Sequence, residues 1–168
     1  MSHPLVVALF PSPSAAAAAV RMLHDSGIAR EQISIISRNH DEESKLAADM
    51  DVTPGADIED SAVAARLGEL SGFILAAIAL VLPGIGPIVA AGPLSAGLGE
   101  AAGHVAGGVA SALSGAGVAS ARAEALEKAV KDGAILLGVH TIQSEVVTVR
   151  ALLQASGAAQ VDTANWTE

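Results

Sequence analysis

Three side chains in the middle of the chain could share a metal site. Glu69 directly follows Gly68, and Glu100 directly follows Gly99, so each carboxylate lies one position past a small residue. If the two segments are antiparallel helices, both carboxylates fall on the same flank, and His104 lies one turn beyond Glu100. Two carboxylates and an imidazole are reasonable ligands for a divalent metal, and helical bundles build such sites. The spacing therefore favours a divalent metal site at Glu69, Glu100 and His104 as one hypothesis.

The same residues also have a simpler interpretation as ion pairs. Glu69 can pair with Arg66 three positions earlier, and Glu100 can pair with His104 four positions later. Structural ion pairs are commoner in proteins than functional clusters of charged residues. We therefore expect no cofactor and no catalytic residue, with the divalent metal kept as the alternative.

Small residues recur every four positions in the two segments that carry these side chains. Residues four apart lie on one side of a helix. Glycine inside a helix costs roughly 1 kcal/mol relative to alanine, so a row of glycines indicates a close approach of two backbones. We expect this small-residue seam to join two helices, either within the chain or between protomers. Its members are Gly68, Gly72, Ala76, Gly99, Gly103, Gly107 and Ser111, with Gly115 continuing the second row.

The segment between the two rows is strongly apolar and includes a reversal of the chain. Residues 71–99 carry no charged side chain. Two prolines and two glycines within five residues cannot continue a helix. The pattern predicts a glycine-zipper helical hairpin over residues 61–116, with one helix ending at Leu82 and another leaving after Pro93. The residues of the hairpin turn are Pro83, Gly84, Gly86 and Pro87.

The hairpin is too short to favour a full membrane span. A spanning helix needs about 20 apolar residues. The first helix offers only Leu70–Leu82 before the turn, and the second helix carries Glu100 and His104. A monomer should not expose so large an apolar surface. We therefore expect a homo-oligomer that buries the hairpin, with peripheral contact between the hairpin and a membrane as the alternative.

Two strand–helix–strand units flank the hairpin. In the first, Ser12 precedes a helix with Pro13 at its first position, and Gly27 follows the last turn. The second unit has the same order, and its helix is followed by Gly157. Apolar runs predict the strands, and helical spacing predicts the helices. The predicted ranges are strands 5–10 and 32–37 in the first unit, and strand 134–140, helix 144–156 and strand 160–164 in the second.

Two such units in a small chain predict an α+β fold of the ferredoxin-like type. This fold is a four-stranded sheet with two helices on one face. Residues 1–38 form the first half, and residues 117–168 form an amphipathic helix at 120–131 followed by the second half. An acidic linker at 39–60 and the apolar hairpin at 61–116 separate the halves, all within one composite domain.

Composition excludes several classes of function. The formal net charge of −9 argues against nucleic acid as a partner and weakens binding to an anionic membrane. The chain has no cysteine, which excludes disulfides, thiol nucleophiles and thiolate metal sites. Its first ten residues lack the basic and long apolar stretches of a signal peptide. A cytoplasmic location, with membrane association as the alternative, is therefore the expectation.

The remaining candidates for chemistry are weaker. The sequence contains no Gly-x-Ser-x-Gly nucleophile elbow, and the glycines at 84 and 86 lack the Lys-Ser/Thr of a phosphate loop. His24 and His140 are predicted to be surface or edge residues. His3 and His40 fall in segments predicted to be disordered.

Several of these features occur together in one group of proteins. They are the N-terminal strand, the helix ending at Gly27, the QISIIS strand at 32–37, the run Leu82–Leu94 (LPGIGPIVAAGPL) and the sequence KDGAILL at 131–137. In these features the chain resembles the bacterial general stress protein 17M-like family, whose relatives are called heat-induced or low-temperature-induced. The resemblance implies a stress-associated role and supplies no catalytic residue. Glu69, Glu100 and His104 belong to no pattern of that family.

Two functions remain open at this point. The first is a non-catalytic, stress-associated protein that self-assembles through the hairpin, in contact with a membrane or another apolar partner. The second is a metal-binding or small-ligand-binding protein that uses Glu69, Glu100 and His104.

Overall fold

The computed structural model describes residues 2–38, 78–82, 86–95, 98 and 108–167. Within these ranges the chain forms a six-stranded sheet and four helices. This mixture confirms the predicted α+β class. The strands are β1 (Ser2–Phe10), β2 (Ile33–Arg38), β3 (Ile78–Leu82), β4 (Gly86–Ala91), β5 (Ile135–His140) and β6 (Gln160–Thr167). The helices are α1 (Pro13–Asp25), α2 (Val109–Gly115), α3 (Ser120–Lys131) and α4 (Val146–Ala155), and a short 3-10 helix spans Arg30–Gln32.

The sheet has the strand order β3-β4-β2-β5-β1-β6, and all of these neighbours pair antiparallel. Leu5 of β1 lies opposite His140 of β5, and Ile35 of β2 lies opposite Leu137. The two flanking units contribute four strands in the order β2-β5-β1-β6, so β1 and β5 lie at the centre of these four. β3 and β4 extend the sheet beyond β2.

The helix boundaries of the flanking units follow the signals in the sequence. The Ser12 hydroxyl accepts a hydrogen bond from the Ala15 N–H at 3.3 Å and caps α1. Gly27 and Gly157, just past α1 and α4, have φ angles of +92° and +91°. This left-handed conformation is the one that glycine adopts without strain. The last strand is longer than predicted and continues to Thr167.

α1 and α4 pack on one face of the sheet. Val20 of α1 and Leu153 of α4 are fully buried with Phe10 of β1 and Leu137 of β5. Alternate residues of each strand point to this face, so Val6, Ala8 and Phe10 share it.

The opposite face of the sheet is covered as well, which the ferredoxin-like prediction does not include. Leu5, Val7, Ile36 and Leu136 form a second core with residues that follow β4 and with two helices. The covering residues are Leu94, Leu98, Val109, Leu113, Ala123, Leu126 and Val130. The physical reason lies in the strands themselves. Residues 5–10, 33–36 and 135–139 are continuously buried, so each of these strands has two faces to cover.

The helical prediction for residues 78–82 is wrong, because this segment is β3. It pairs antiparallel with β4, and Leu82 lies opposite Gly86, so the chain reverses where the prolines and glycines predict. A short apolar run bounded by turn residues fits a buried strand as well as a helix, and periodicity alone cannot separate them. Pro87 is the second residue of β4 and lies beyond the end of the β2–β4 pairing at Ile88. Proline is tolerated near the start of a strand.

The remaining helices of the insertion agree better with the sequence. α3 has the predicted bounds, and Ala123, Leu126 and Val130 are buried as expected. α2 lies within the predicted second helix of the hairpin, and the residues from Pro93 to Ser95 are helical. The acidic linker at 39–60 lies outside the described residues.

Candidate functional site

The predicted metal ligands cannot be placed, because Glu69, Glu100 and His104 all lie outside the described residues. That site stays a prediction. Within the ranges that the structure does describe, no group of three or more His, Asp or Glu side chains is arranged to hold a metal ion. In the same ranges, no helix combines the length and apolar character that crossing a bilayer requires.

Only the end of the small-residue seam falls within the described ranges. Ser111 and Gly115 are exposed on α2, and a Cβ built at Gly115 would meet no atom of the described residues within 4 Å. The bulky side chains of Val109 and Leu113 make the buried contacts of α2 instead. This end of the seam therefore forms no close contact with a described helix. The other seam residues are outside the described ranges, namely Gly68, Gly72, Ala76, Gly99, Gly103 and Gly107.

Of the predicted turn residues, two lie outside the described residues and two lie within them. Pro83 and Gly84 are outside the described residues, whereas Gly86 and Pro87 are the first two residues of β4. They lie opposite Leu82 and Val81 of β3. The reversal therefore joins two strands of the sheet and not two helices.

A cluster that the sequence does not reveal lies at one end of the sheet, where β1 begins and both β5 and β6 end. Its members are His3, His140 and Trp166. Trp166 lies directly opposite His3 in the register of β1 and β6, and His140 lies opposite Leu5. Leu5 belongs to the core beneath α2 and α3, and strand alternation places His3 and His140 on that same face.

The rings of His140 and Trp166 are in direct contact. Their centroids are 4.6 Å apart and their planes make an angle of 62°, which is an edge-to-face arrangement. The Nε2 atom of His140 is buried, and no described residue forms a hydrogen bond with it. The backbone carbonyl of His140, by contrast, accepts a hydrogen bond from the Gln32 side-chain amide at 2.9 Å.

The surroundings of His140 favour its neutral form. Burial of the ring lowers the pKa of His140 below the ordinary histidine value of 6.5, and the electrostatic effect of nearby His3 lowers it further. A neutral imidazole keeps a lone pair on one ring nitrogen, which can accept a proton or bind a metal ion.

Two predictions about histidines need correction at this point. The sequence predicts a disordered segment around His3, yet His3 lies within β1 and pairs with β6. His140 does lie at a strand end, but in an interior strand, where it is half-buried. The apolar run at 5–10 indicates the strand but not its extension to Ser2, which depends on pairing with β6. His24 is exposed on α1, as predicted.

The turn after β4 is fastened to the same face of the sheet. The hydroxyl of Ser34, which is fully buried, accepts a hydrogen bond from the Leu94 N–H at 3.0 Å. The Leu94 side chain lies over Gly138, where an added Cβ would approach its Cδ1 atom to 2.6 Å. Gly138 is the β5 residue opposite Ser34. A small residue at 138 thus leaves the space that Leu94 fills.

Charged side chains form hydrogen bonds with α2 and α3, the two helices that cover the second face of the sheet. Glu127 of α3 accepts a hydrogen bond from the Ala110 N–H at 2.7 Å and also pairs with Lys131 at 3.3 Å. The first turn of a helix has unpaired N–H groups, and Glu127 supplies an acceptor that Gly108 at the N-cap cannot. At the far end of α3, the Arg38 Nη1 atom donates to the Lys131 carbonyl oxygen at 2.8 Å.

Comparisons with known proteins do not add to this picture. No family model matches the chain. Neither the curated proteins nor the solved structures include a match.

Proposed function

We propose that this chain is a non-catalytic, stress-associated protein that assembles with copies of itself through its apolar insertion. The observation that carries the proposal is the position of β3. This strand, with the sequence IALVL, is an outer strand of the described sheet and carries no charged residue. One of its two backbone edges is paired with β4, and no described strand pairs with the other.

An outer strand offers unpaired N–H and C=O groups to a strand of another chain. Proteins commonly protect such an edge with charged residues, short strands or proline. The two outer strands of this sheet differ in this respect. β6 carries Gln160, Asp162 and Asn165, and its Asp162 pairs with Arg122 at 2.7 Å, whereas every residue of β3 is apolar. The contrast supports β3 as the edge where a second copy pairs.

The fold supports a finer assignment as well. The order β6-β1-β5-β2, with α1 and α4 on one face, is the order expected for a ferredoxin-like core made of two strand–helix–strand units. In this proposal, β3, β4, α2 and α3 are an insertion that widens the sheet and covers its second face. The small-residue seam is a second contact between protomers.

The stress-associated part of the proposal depends on the similarity of residues 82–94 and 131–137 to the general stress protein 17M-like family. The acidic charge of −9 supports a protein partner over nucleic acid. Contact with a membrane surface is an outcome that the experiment below can distinguish.

The test is the native mass of the protein by light scattering, measured with and without lipid vesicles. We expect a mass above that of one chain, and a lower mass for a variant carrying Ala79→Lys and Val81→Lys, because lysine on an outer strand disfavours pairing. Thr163→Lys on β6 is the matched control and should leave the mass unchanged. A parent protein with the mass of a single chain would contradict the proposal. An assembly that the β3 substitutions do not change would contradict the role of β3, and a mass shift only with vesicles would favour membrane contact.

A further inference from the structure

His3 and His140 occupy diagonal positions on two adjacent antiparallel strands. Leu5 lies directly opposite His140, and His3 is two residues before Leu5 on the same face of β1. Diagonal neighbours in such a pair are about 7–8 Å apart at Cα, within the reach of long side chains. The effect of His3 on the pKa of His140 agrees with this proximity. Two imidazoles can therefore approach one point from neighbouring strands.

His140 has a ring nitrogen whose bonding capacity no described residue uses. Its Nε2 atom is buried without a hydrogen-bond partner among the described residues. Buried polar atoms in proteins nearly always have a hydrogen-bond partner. A ligand that binds this nitrogen would supply the partner that the described residues do not. Gln32 does not compete for this nitrogen, because its side-chain amide donates to the His140 carbonyl oxygen, and the contact with Trp166 is one between rings.

The chemistry of the cluster suits a transition-metal ion. A neutral imidazole is the form that binds metals, and burial keeps His140 neutral at pH 7. Imidazole nitrogen suits zinc, nickel and copper, and affinity for such sites rises along the first row to Cu(II). Two nitrogen ligands from the protein and two water molecules satisfy the tetragonal geometry of Cu(II).

We propose that His3 and His140 together bind a divalent first-row transition-metal ion, Cu(II) most tightly, at the end of the sheet beside Trp166. This proposal makes no use of Glu69, Glu100 or His104, and it does not depend on self-assembly.

The protein contains one tryptophan and no tyrosine, so its fluorescence reports on the surroundings of Trp166. Bound Cu(II) quenches a nearby indole, and Trp166 contacts the ring of His140. The experiment titrates the full-length protein with Cu(II) and measures the half-saturation of quenching for the parent, His3→Gln and His140→Gln. We expect each substitution to weaken binding about tenfold or more, as even the loss of a residue that only supports a ligand does.

His24→Gln is the matched control, because His24 is an exposed histidine on α1, away from the cluster. It should bind Cu(II) like the parent, as should Glu100→Gln, which tests the separate predicted site. A parent that Cu(II) does not quench would overturn the proposal. So would quenching that needs His3 but not His140, since the ion would then be bound by His3 alone. His3 is exposed, so His3→Gln keeps the test valid even if His140→Gln disturbs folding.

Discussion

The two faces of the sheet are both covered by helices, yet the glycines beside them have different roles. On the face of α1 and α4, Gly27 and Gly157 have positive φ angles, and a Cβ at either would meet no atom within 4 Å. On the face of α2 and α3, Gly92 and Gly117 also have positive φ angles, of +83° and +90°. A Cβ at Gly92 would collide with the Ile33 carbonyl oxygen, and one at Gly117 with that of Asn165.

The difference shows that one glycine signature has two physical causes. The first pair satisfies only its own helix end, which is a local requirement. The second pair lets a loop of the insertion lie directly against the backbone of β2 or β6, which is a requirement of tertiary packing that Gly117 meets in addition to ending α2. The glycines of the first face therefore answer a local signal alone, and those of the second face also allow close contact between distant segments.

Substitutions at the glycines give the largest expected effect. Gly92→Ala and Gly117→Ala combine strain from the positive φ angle, about 1–3 kcal/mol, with a backbone collision that costs about as much again. We expect each to lower the free energy of unfolding by about 3 kcal/mol or more. Urea denaturation followed by circular dichroism measures the change.

Gly27→Ala and Gly157→Ala are the matched controls, since they have the same sign of φ and no collision. Each should cost only about 1 kcal/mol. Equal losses for all four variants would break the comparison between the two faces, because φ alone would then explain the glycines.

A smaller effect is expected where the turn after β4 is fastened to β2. Ser34→Ala removes the acceptor of the Leu94 N–H and leaves that group buried without a partner. The cost should be about 1–3 kcal/mol. Ser26→Ala, which removes an exposed hydroxyl that bonds to the Met22 carbonyl, should cost well under 1 kcal/mol in the same urea experiment. If Ser34→Ala lowered the free energy of unfolding as little as this control, the hydrogen bond between Ser34 and Leu94 would contribute little to stability.

The hydrogen bond between the two covering helices should contribute about 1 kcal/mol, the usual value of a side chain that caps a helix. Glu127→Ala removes the acceptor of the Ala110 N–H, whereas Glu127→Gln retains an oxygen there. We therefore expect the alanine variant to lose more stability than the glutamine variant. Glu124→Ala, on an exposed position of the same helix, controls for the change of charge. A loss for Glu124→Ala as large as for Glu127→Ala would exclude the capping role.

The smallest predicted effect is a dependence of stability on pH at the end of the sheet. Burial lowers the pKa of His140 in the folded protein below 6.5, so the unfolded chain binds the proton more readily. Neutral His140 makes its full contribution to the free energy of unfolding above pH 6.5. That contribution is lost as the pH falls through the pKa that His140 has in the folded protein. Measured with a chelator present, the free energy of unfolding of the parent should therefore fall relative to that of His140→Gln on acidification. His24→Gln should behave like the parent, and parallel curves for the parent and His140→Gln would contradict the prediction.

Local signals in the sequence are sufficient to predict the two flanking units. Ser12, Gly27 and Gly157 mark the helix ends of these units. Helical spacing also identifies the buried side of α3 in the insertion. These features depend on residues a few positions apart, whose chemistry can be read directly. The divalent metal site at Glu69, Glu100 and His104 lies beyond the described residues and stays a prediction.

The sequence by itself determined the strand–helix–strand order of the two flanking units, the Ser12 cap of α1 and the glycines after α1 and α4, because hydrogen bonds and side-chain periodicity within each segment specify them. The full lengths of β1 and β6 depend on their pairing with each other. Only the tertiary structure decided that residues 78–82 pair as a strand, that the insertion covers the second face, and that His3 and His140 share one end of the sheet. Those features depend on register between strands far apart in the chain. A short apolar run fits a helix or a strand equally well until a neighbour supplies its hydrogen bonds.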